Sequence, residues 1–156
     1  IGAGGKSGLL CLHQARKQAG ITGKVIALEY GDKACQRIEE LGLADEIIQG
    51  DATDGVKVYQ EVKKITDGEM CDVVINNVNI ANTEMGSIMS TKDEGVIYFF
   101  SMATSFTKAA LGAEGIGKDV EMIIGNGYTR GHAAIALETI RESKELKELF
   151  NKLYTH

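Results

Sequence analysis

Three stretches of this chain, Val25–Leu28, Asp72–Asn76 and Val96–Phe100, are near-continuous apolar runs rather than alternations of apolar and polar residues. A strand with that pattern has both faces covered, which is the condition inside a parallel sheet. Six segments read as strand material: Ile1, Lys24–Glu29, Glu46–Gln49, Asp72–Asn76, Gly95–Ser101 and Val120–Gly125. Helical patterns separate them at Leu9–Ala19, Lys33–Leu41, Val56–Ile65, Asn82–Met89, Phe106–Ala113 and Thr129–Leu153. Asp32 and Asp54 stand as candidate caps before the second and third helices. Gly20 and Gly42 stand as stops after the first and second. Strands alternating with helices demand right-handed crossovers and a parallel sheet. The expected fold is therefore a Rossmann-like, doubly wound α/β domain in three layers, one domain across residues 1–156.

The opening, Ile1-Gly2-Ala3-Gly4-Gly5-Lys6-Ser7-Gly8, runs straight into an apolar helix. Ala3-Gly4-Gly5-Lys6-Ser7-Gly8 matches A-x-G-x-x-G, and Gly2-x-Gly4 with Ser7 gives a second register. Either way a strand must turn tightly into a helix, bare backbone must approach a pyrophosphate, and helix must pack close on strand. The helix start then offers N–H groups and partial positive charge to the phosphates. The next strand ends in Glu29, 21 residues after Gly8. A carboxylate there accepts hydrogen bonds from the adenosine ribose and repels a 2′-phosphate, so NAD is the expected cofactor rather than NADP.

Ligands of open α/β sheets lie at the carboxyl ends of the strands. That rule nominates Asp51 and Ala52 for the adenine side, and Asn76, Asn77 and Ser101 for the ribose and nicotinamide side. Asn126 follows the last strand. Arg130 is placed to pair with the pyrophosphate, and His132 to face a substrate. No complete acid–base or nucleophilic constellation is legible, and the catalytic residues stay unassigned. A second reading takes Gly5-Lys6-Ser7 as the end of a phosphate loop of a nucleotide hydrolase or kinase. Such an enzyme wants an Asp at a later strand end for magnesium, whereas Asp72–Asn76 closes on Asn76 and Gly95–Ser101 on Ser101. A non-catalytic NAD-sensing module is a third reading.

The net charge of −5, without a Lys/Arg stripe, argues against nucleic acid as a partner. No apolar run approaches the ~18 residues of a membrane span, and no secretory signal opens the sequence. Cys11, Cys35 and Cys71 are widely spaced and form no metal-ligand pattern, as expected of reduced thiols in the cytoplasm. No metal site is expected. The first strand of a Rossmann sheet lies near its middle, yet here it is reduced to Ile1. We therefore expect residues upstream, including a catalytic domain.

Across IGAGGKSGLLCLHQARK, GKVIALE, DVVINNVN, FFSMATSFTKAALGAEGIGKDVEMIIGNGY and RGHAAIALETIRE, the chain resembles the C-terminal cofactor domain of the medium-chain dehydrogenase/reductase superfamily. The most specific part of the resemblance is SFTKAALGAEG combined with IGNGYTRGHA. It points to a branch serving lysine fermentation and implies NAD-dependent oxidative deamination of a small amino-acid-like substrate. An alcohol dehydrogenase of the same superfamily is the nearest alternative. The superfamily also implies a homodimer paired through the last strand, Val120–Gly125.

Overall fold

The computed structural model describes residues 1–124 and 128–155. Its strands are β1 (Ile26–Glu29), β2 (Glu46–Gln49), β3 (Cys71–Asn76), β4 (Thr91–Phe99) and β5 (Val120–Ile124). Its helices are α1 (Lys6–Ala19), α2 (Asp32–Leu41), α3 (Gly55–Ile65), α4 (Glu84–Ser90), α5 (Phe106–Gly115), α6 (His132–Glu142) and α7 (Lys144–Tyr154). Strand and helix alternate through α5, and every strand pair is parallel, as the apolar runs require.

The strands form two blocks, β2–β1 and β3–β4–β5. Ile1 stands between them. Its amino group donates to the Ile75 carbonyl at 2.8 Å. Its carbonyl accepts from the Asn77 N–H at 3.0 Å, while the Gly2 N–H donates to Leu28 O at 2.8 Å. The lateral order is β2-β1-Ile1-β3-β4-β5, the Rossmann order with Ile1 in the place of the first strand. Below Ile1 the facing sides of β1 and β3 leave an apolar slot lined by Ile26, Leu28, Val74 and Ile75.

Successive residues of β1 serve opposite faces, as a pleated strand dictates. Ala27 packs with Leu12 of α1 and Ile38 of α2. Leu28 packs with Ile48, Val58 and Val62 on the α3 side. Farther along the sheet, Val74, Ile97 and Phe99 meet Ile88 of α4 and Ala109 and Ala113 of α5. In β1 the consecutive residues Ala27 and Leu28 are both buried, whereas β3 and β4 bury one face more fully and Val73 on the other stands 59% exposed.

Two local readings change. Asp32 is the first residue of α2 rather than its cap; Gly31 holds that position without a side-chain bond. Asp54, by contrast, caps α3 by accepting from the Lys57 N–H at 3.1 Å. The stretch read as one helix over Thr129–Leu153 is two, broken at Ser143. There the Ser143 hydroxyl accepts from the Leu146 N–H at 3.1 Å and starts α7 afresh. Ser143→Ala is expected to lower unfolding stability by about 1 kcal/mol, the usual loss of a cap, measured by urea denaturation.

Asp45 ties the end of α1 to β1. Its carboxylate accepts from the Val25 N–H at 2.6 Å and from Arg16 at 2.7 Å. The Val25 bond first, and the Arg16 guanidinium second, hold this exposed carboxyl below the usual range. A depressed folded value means that its stabilisation is present above the unfolded value of about 4 and fades as the pH falls through the folded one. The melting temperatures of the parent and Asp45→Asn should therefore differ at pH 6 and converge below about pH 4.

Candidate cofactor-binding site

The turn between Ile1 and α1 is built from close backbone approaches. Gly2 has a φ of +73°, and a Cβ there would lie 2.7 Å from the Val78 side chain. A Cβ on Gly8 would lie 2.0 Å from the Gly2 carbonyl oxygen. The first turn of α1 thus rests directly on the turn that precedes it. Gly5 differs, because its nearest neighbour would be 3.9 Å away, leaving room for a side chain or for something bound.

The amides of this turn divide into two groups. Those of Gly2 and Ala3 donate to Leu28 O, and that of Gly4 donates to Glu29 Oε2 at 2.8 Å. They hold sheet and turn together, which narrows the sequence-based expectation that the whole turn receives a diphosphate. The amides from Gly5 through Gly8 belong to the N-terminus of α1. Gly5 caps it without a side chain, and no acidic residue occupies its first turn. First-turn N–H groups lack intrahelical acceptors, so this end suits an anion.

Glu29 sits where the sequence placed it. At the end of β1 it accepts from Gly4 through Oε2 and from the Tyr30 N–H through Oε1, both at 2.8 Å. It also stands beside Ala34, whose Cβ would be 2.6 Å from a Cβ on Gly4. Next to it on the sheet, the Gly50 N–H donates to Glu29 O at 2.9 Å, which brings Asp51 and Ala52 to the same edge. Asp51 is exposed and accepts from the Thr53 N–H at 2.8 Å and the Thr53 hydroxyl at 2.7 Å. Those bonds hold its carboxyl below the usual range. Ala52 is buried against α3.

The other nominated residues separate. Asn76 is fully buried, with its side chain turned into the protein. Its Nδ2 donates to the Thr83 and Ser87 hydroxyls at 2.9 Å each, and its Oδ1 accepts from the Val78 N–H at 3.0 Å. It is therefore a brace for the loop after β3 rather than a strand-end group presented to a ligand. Asn76→Leu is expected to lower unfolding stability by roughly 1–3 kcal/mol, read from denaturant titration, because the Val78 N–H loses its acceptor inside the protein. Asn77 lies half-buried on the loop, 3.8 Å from the Cys11 sulfur. Ser101 accepts from the Ala103 N–H at 3.0 Å and shapes the loop after β4.

Asn126 lies outside the described residues. Arg130 is exposed in the turn before α6, and no described hydrogen bond or ion pair joins it to the glycine turn. His132 directs Nδ1 at the Thr129 carbonyl, 2.7 Å away, and packs edge-on against Tyr128.

Two features were not identified from sequence. Lys6 places its amine 4.4 Å from the centre of the Tyr154 ring, on α7. A phosphate-loop lysine would instead lie over the turn. The polar stripe Thr83, Ser87, Thr91, spaced by four, is buried on the sheet side of α4. That spacing was the available signal, but mid-chain Ser and Thr read as surface residues. Burial pushes the thiols of Cys11 and Cys71 up, which disfavours a nucleophilic thiolate at either position.

This arrangement defines a nucleotide-binding domain of dehydrogenase type, and comparison with known proteins agrees. The chain belongs to the zinc-binding dehydrogenase family, whose model matches residues 8–147, within the medium-chain dehydrogenase/reductase superfamily. It is similar to the L-erythro-3,5-diaminohexanoate dehydrogenases of Acetoanaerobium sticklandii, 49% identical over 154 residues, and Fusobacterium nucleatum, 50% identical over 154 residues. Each alignment takes in 99% of this chain and 45% of the relative, so the chain spans less than half their length. Among solved structures, the Escherichia coli quinone oxidoreductase complexed with NADPH superposes with a TM-score of 0.60 at 19% identity, over 97% of this chain and 43% of that one. That likeness establishes the fold. The family name implies zinc, but the described residues contain no group of three or more His, Cys, Asp or Glu able to hold a metal.

Proposed function

We propose that this chain is the NAD-holding domain of a dehydrogenase that acts on a CH–NH2 group, with L-erythro-3,5-diaminohexanoate as substrate. The observation that carries the cofactor reading is the 2.8 Å contact between Glu29 Oε2 and the Gly4 N–H. It fixes an acidic strand end against a turn whose following amides are open to an anion. Gly5 through Gly8 receive the diphosphate, Glu29 grips the adenosine ribose, and the ends of β3 and β4 border the nicotinamide. NAD bound there would supply the acceptor for a hydride from the carbon bearing the 3-amino group. Water hydrolyses the resulting imine to a 3-oxo acid and ammonia, so that NAD⁺, water and amine give NADH, ketone and ammonium. The substrate claim rests on the two relatives near 50% identity.

Calorimetry with NADH, NADPH and Mg-ATP tests the cofactor reading. NADH is expected to bind more tightly than NADPH. Binding of Mg-ATP without an NADH signal would establish the phosphate-loop reading instead. Formation of NADH at 340 nm from L-erythro-3,5-diaminohexanoate by the full-length protein tests the reaction.

We also propose pairing of two copies along β5. Ile123 and Ile124 stand 42% and 36% exposed on that edge strand, and an open apolar edge is a ready pairing surface. Ile123→Lys should shift the full-length protein from dimer to monomer in light scattering. The free thiols of Cys11, Cys35 and Cys71 accord with a reducing, cytoplasmic setting.

A further inference from the structure

The first turn of α4 is buried and polar, and it ties down two loops at once. Thr83 and Ser87 hold Asn76 and, through it, Val78, which fixes the chain as it leaves β3. One residue beyond Thr83, Glu84 is 2% exposed. Its Oε1 accepts from the Ser105 N–H at 2.7 Å, across to the loop that leaves β4. Ser105 in turn caps α5 by accepting from the Lys108 N–H at 3.3 Å.

Between β4 and Ser105 the loop is tied by its own Ser101, whose hydroxyl and carbonyl accept from the Ala103 and Thr104 N–H groups at 3.0 and 3.4 Å. Its middle is open, with Met102 90% exposed. Thr104 Oγ1 is buried without a hydrogen-bond partner. A carboxylate taken this far from water is costly unless it does something an apolar residue could not. Here it supplies the acceptor for a backbone donor at the end of a loop with few other anchors. Both tethered loops lie at the carboxyl ends of neighbouring strands. The first also borders the glycine turn, where Val78 meets Gly2.

We propose that Glu84 is a positioning residue for the nicotinamide half of the cofactor site: by anchoring Ser105 it sets the 101–105 loop against that ring. This rests on the cofactor reading above and extends it to a residue outside the glycine turn. The adenosine half, held by Gly5–Gly8 and Glu29, does not depend on it.

The test compares wild type, Glu84→Gln and Glu84→Met in the full-length protein. NADH binding is followed by its fluorescence, and ADP-ribose, which lacks the nicotinamide, by calorimetry. Methionine fills the volume but accepts no strong hydrogen bond. It should weaken NADH about 5- to 10-fold and reduce its fluorescence enhancement, the loss expected for one buried bond. ADP-ribose should stay within about twofold. Glutamine, whose amide oxygen accepts the same N–H, should restore NADH binding. Equal weakening of both ligands by methionine, no weakening at all, or no rescue by glutamine would overturn the proposal. If the methionine chain fails to fold, Glu84→Asp, one methylene short of Ser105, takes its place in the same comparison. A wild-type protein that binds neither ligand would instead overturn the cofactor reading itself, and this proposal with it.

Discussion

Gly8→Ala is expected to destroy the domain's fold locally and its cofactor binding with it, whereas Gly5→Val is expected to abolish binding and leave the fold intact. The two glycines lie three residues apart in one turn, yet their surroundings are opposite. A methyl group on Gly8 would stand 2.0 Å from the Gly2 carbonyl oxygen and 2.8 Å from the Ala3 backbone. Neither neighbour is a flexible side-chain tip, so α1 must lift off the turn. That displaces Leu9 and Leu12, both buried, and costs several kcal/mol by analogy with overpacked cores. At Gly5 the nearest atom is 3.9 Å away, and its φ of −80° suits any residue. Valine there costs the fold little, but it fills the space in front of the first-turn amides. Thermal melting and NADH titration of the two variants separate these outcomes. NADH binding retained by Gly5→Val would show that the diphosphate does not lie at this helix start.

The second large effect concerns cofactor choice. Glu29→Gln should shift the ratio of NAD to NADP affinity toward NADP by roughly 10- to 100-fold, the value of charge-assisted hydrogen bonds to two hydroxyls. Glutamine keeps an acceptor for the Gly4 N–H, so the turn stays in place while the repulsion of a 2′-phosphate disappears. Glu29→Ala should move the ratio in the same direction. It should also lower melting temperature, because the Gly4 and Tyr30 N–H groups both lose their acceptor. An unchanged ratio in both variants would show that Glu29 does not select the cofactor.

Ser143 and Asp45 act at element ends that water partly reaches, so it replaces much of what a substitution removes and their effects are small. Asn76 acts where water does not enter, so its removal leaves a donor unsatisfied.

Much of this protein was legible along the chain because the relevant physics is local. Near-continuous apolar runs mark parallel strands, and β2 fell at Glu46–Gln49 as read. A glycine-rich turn before an apolar helix and an acidic strand end 21 residues later are read in the same way, as the proposed anion site and its partner. None of these requires knowing what lies across the fold. What the tertiary structure alone decided depends on groups far apart in sequence. Asn76 and Glu29 both close strands and both read as ligand contacts. Asn76 meets Thr83 and Ser87 in the interior and becomes a brace, while Glu29 meets Gly4 at the glycine turn and so borders the candidate site. Lys6 is drawn to Tyr154, 148 residues away, and Glu84 reaches Ser105. Periodicity reports which side of an element is buried; it carries no information about which distant partner satisfies a buried donor or acceptor, and that partner is what fixed the role of each of these residues.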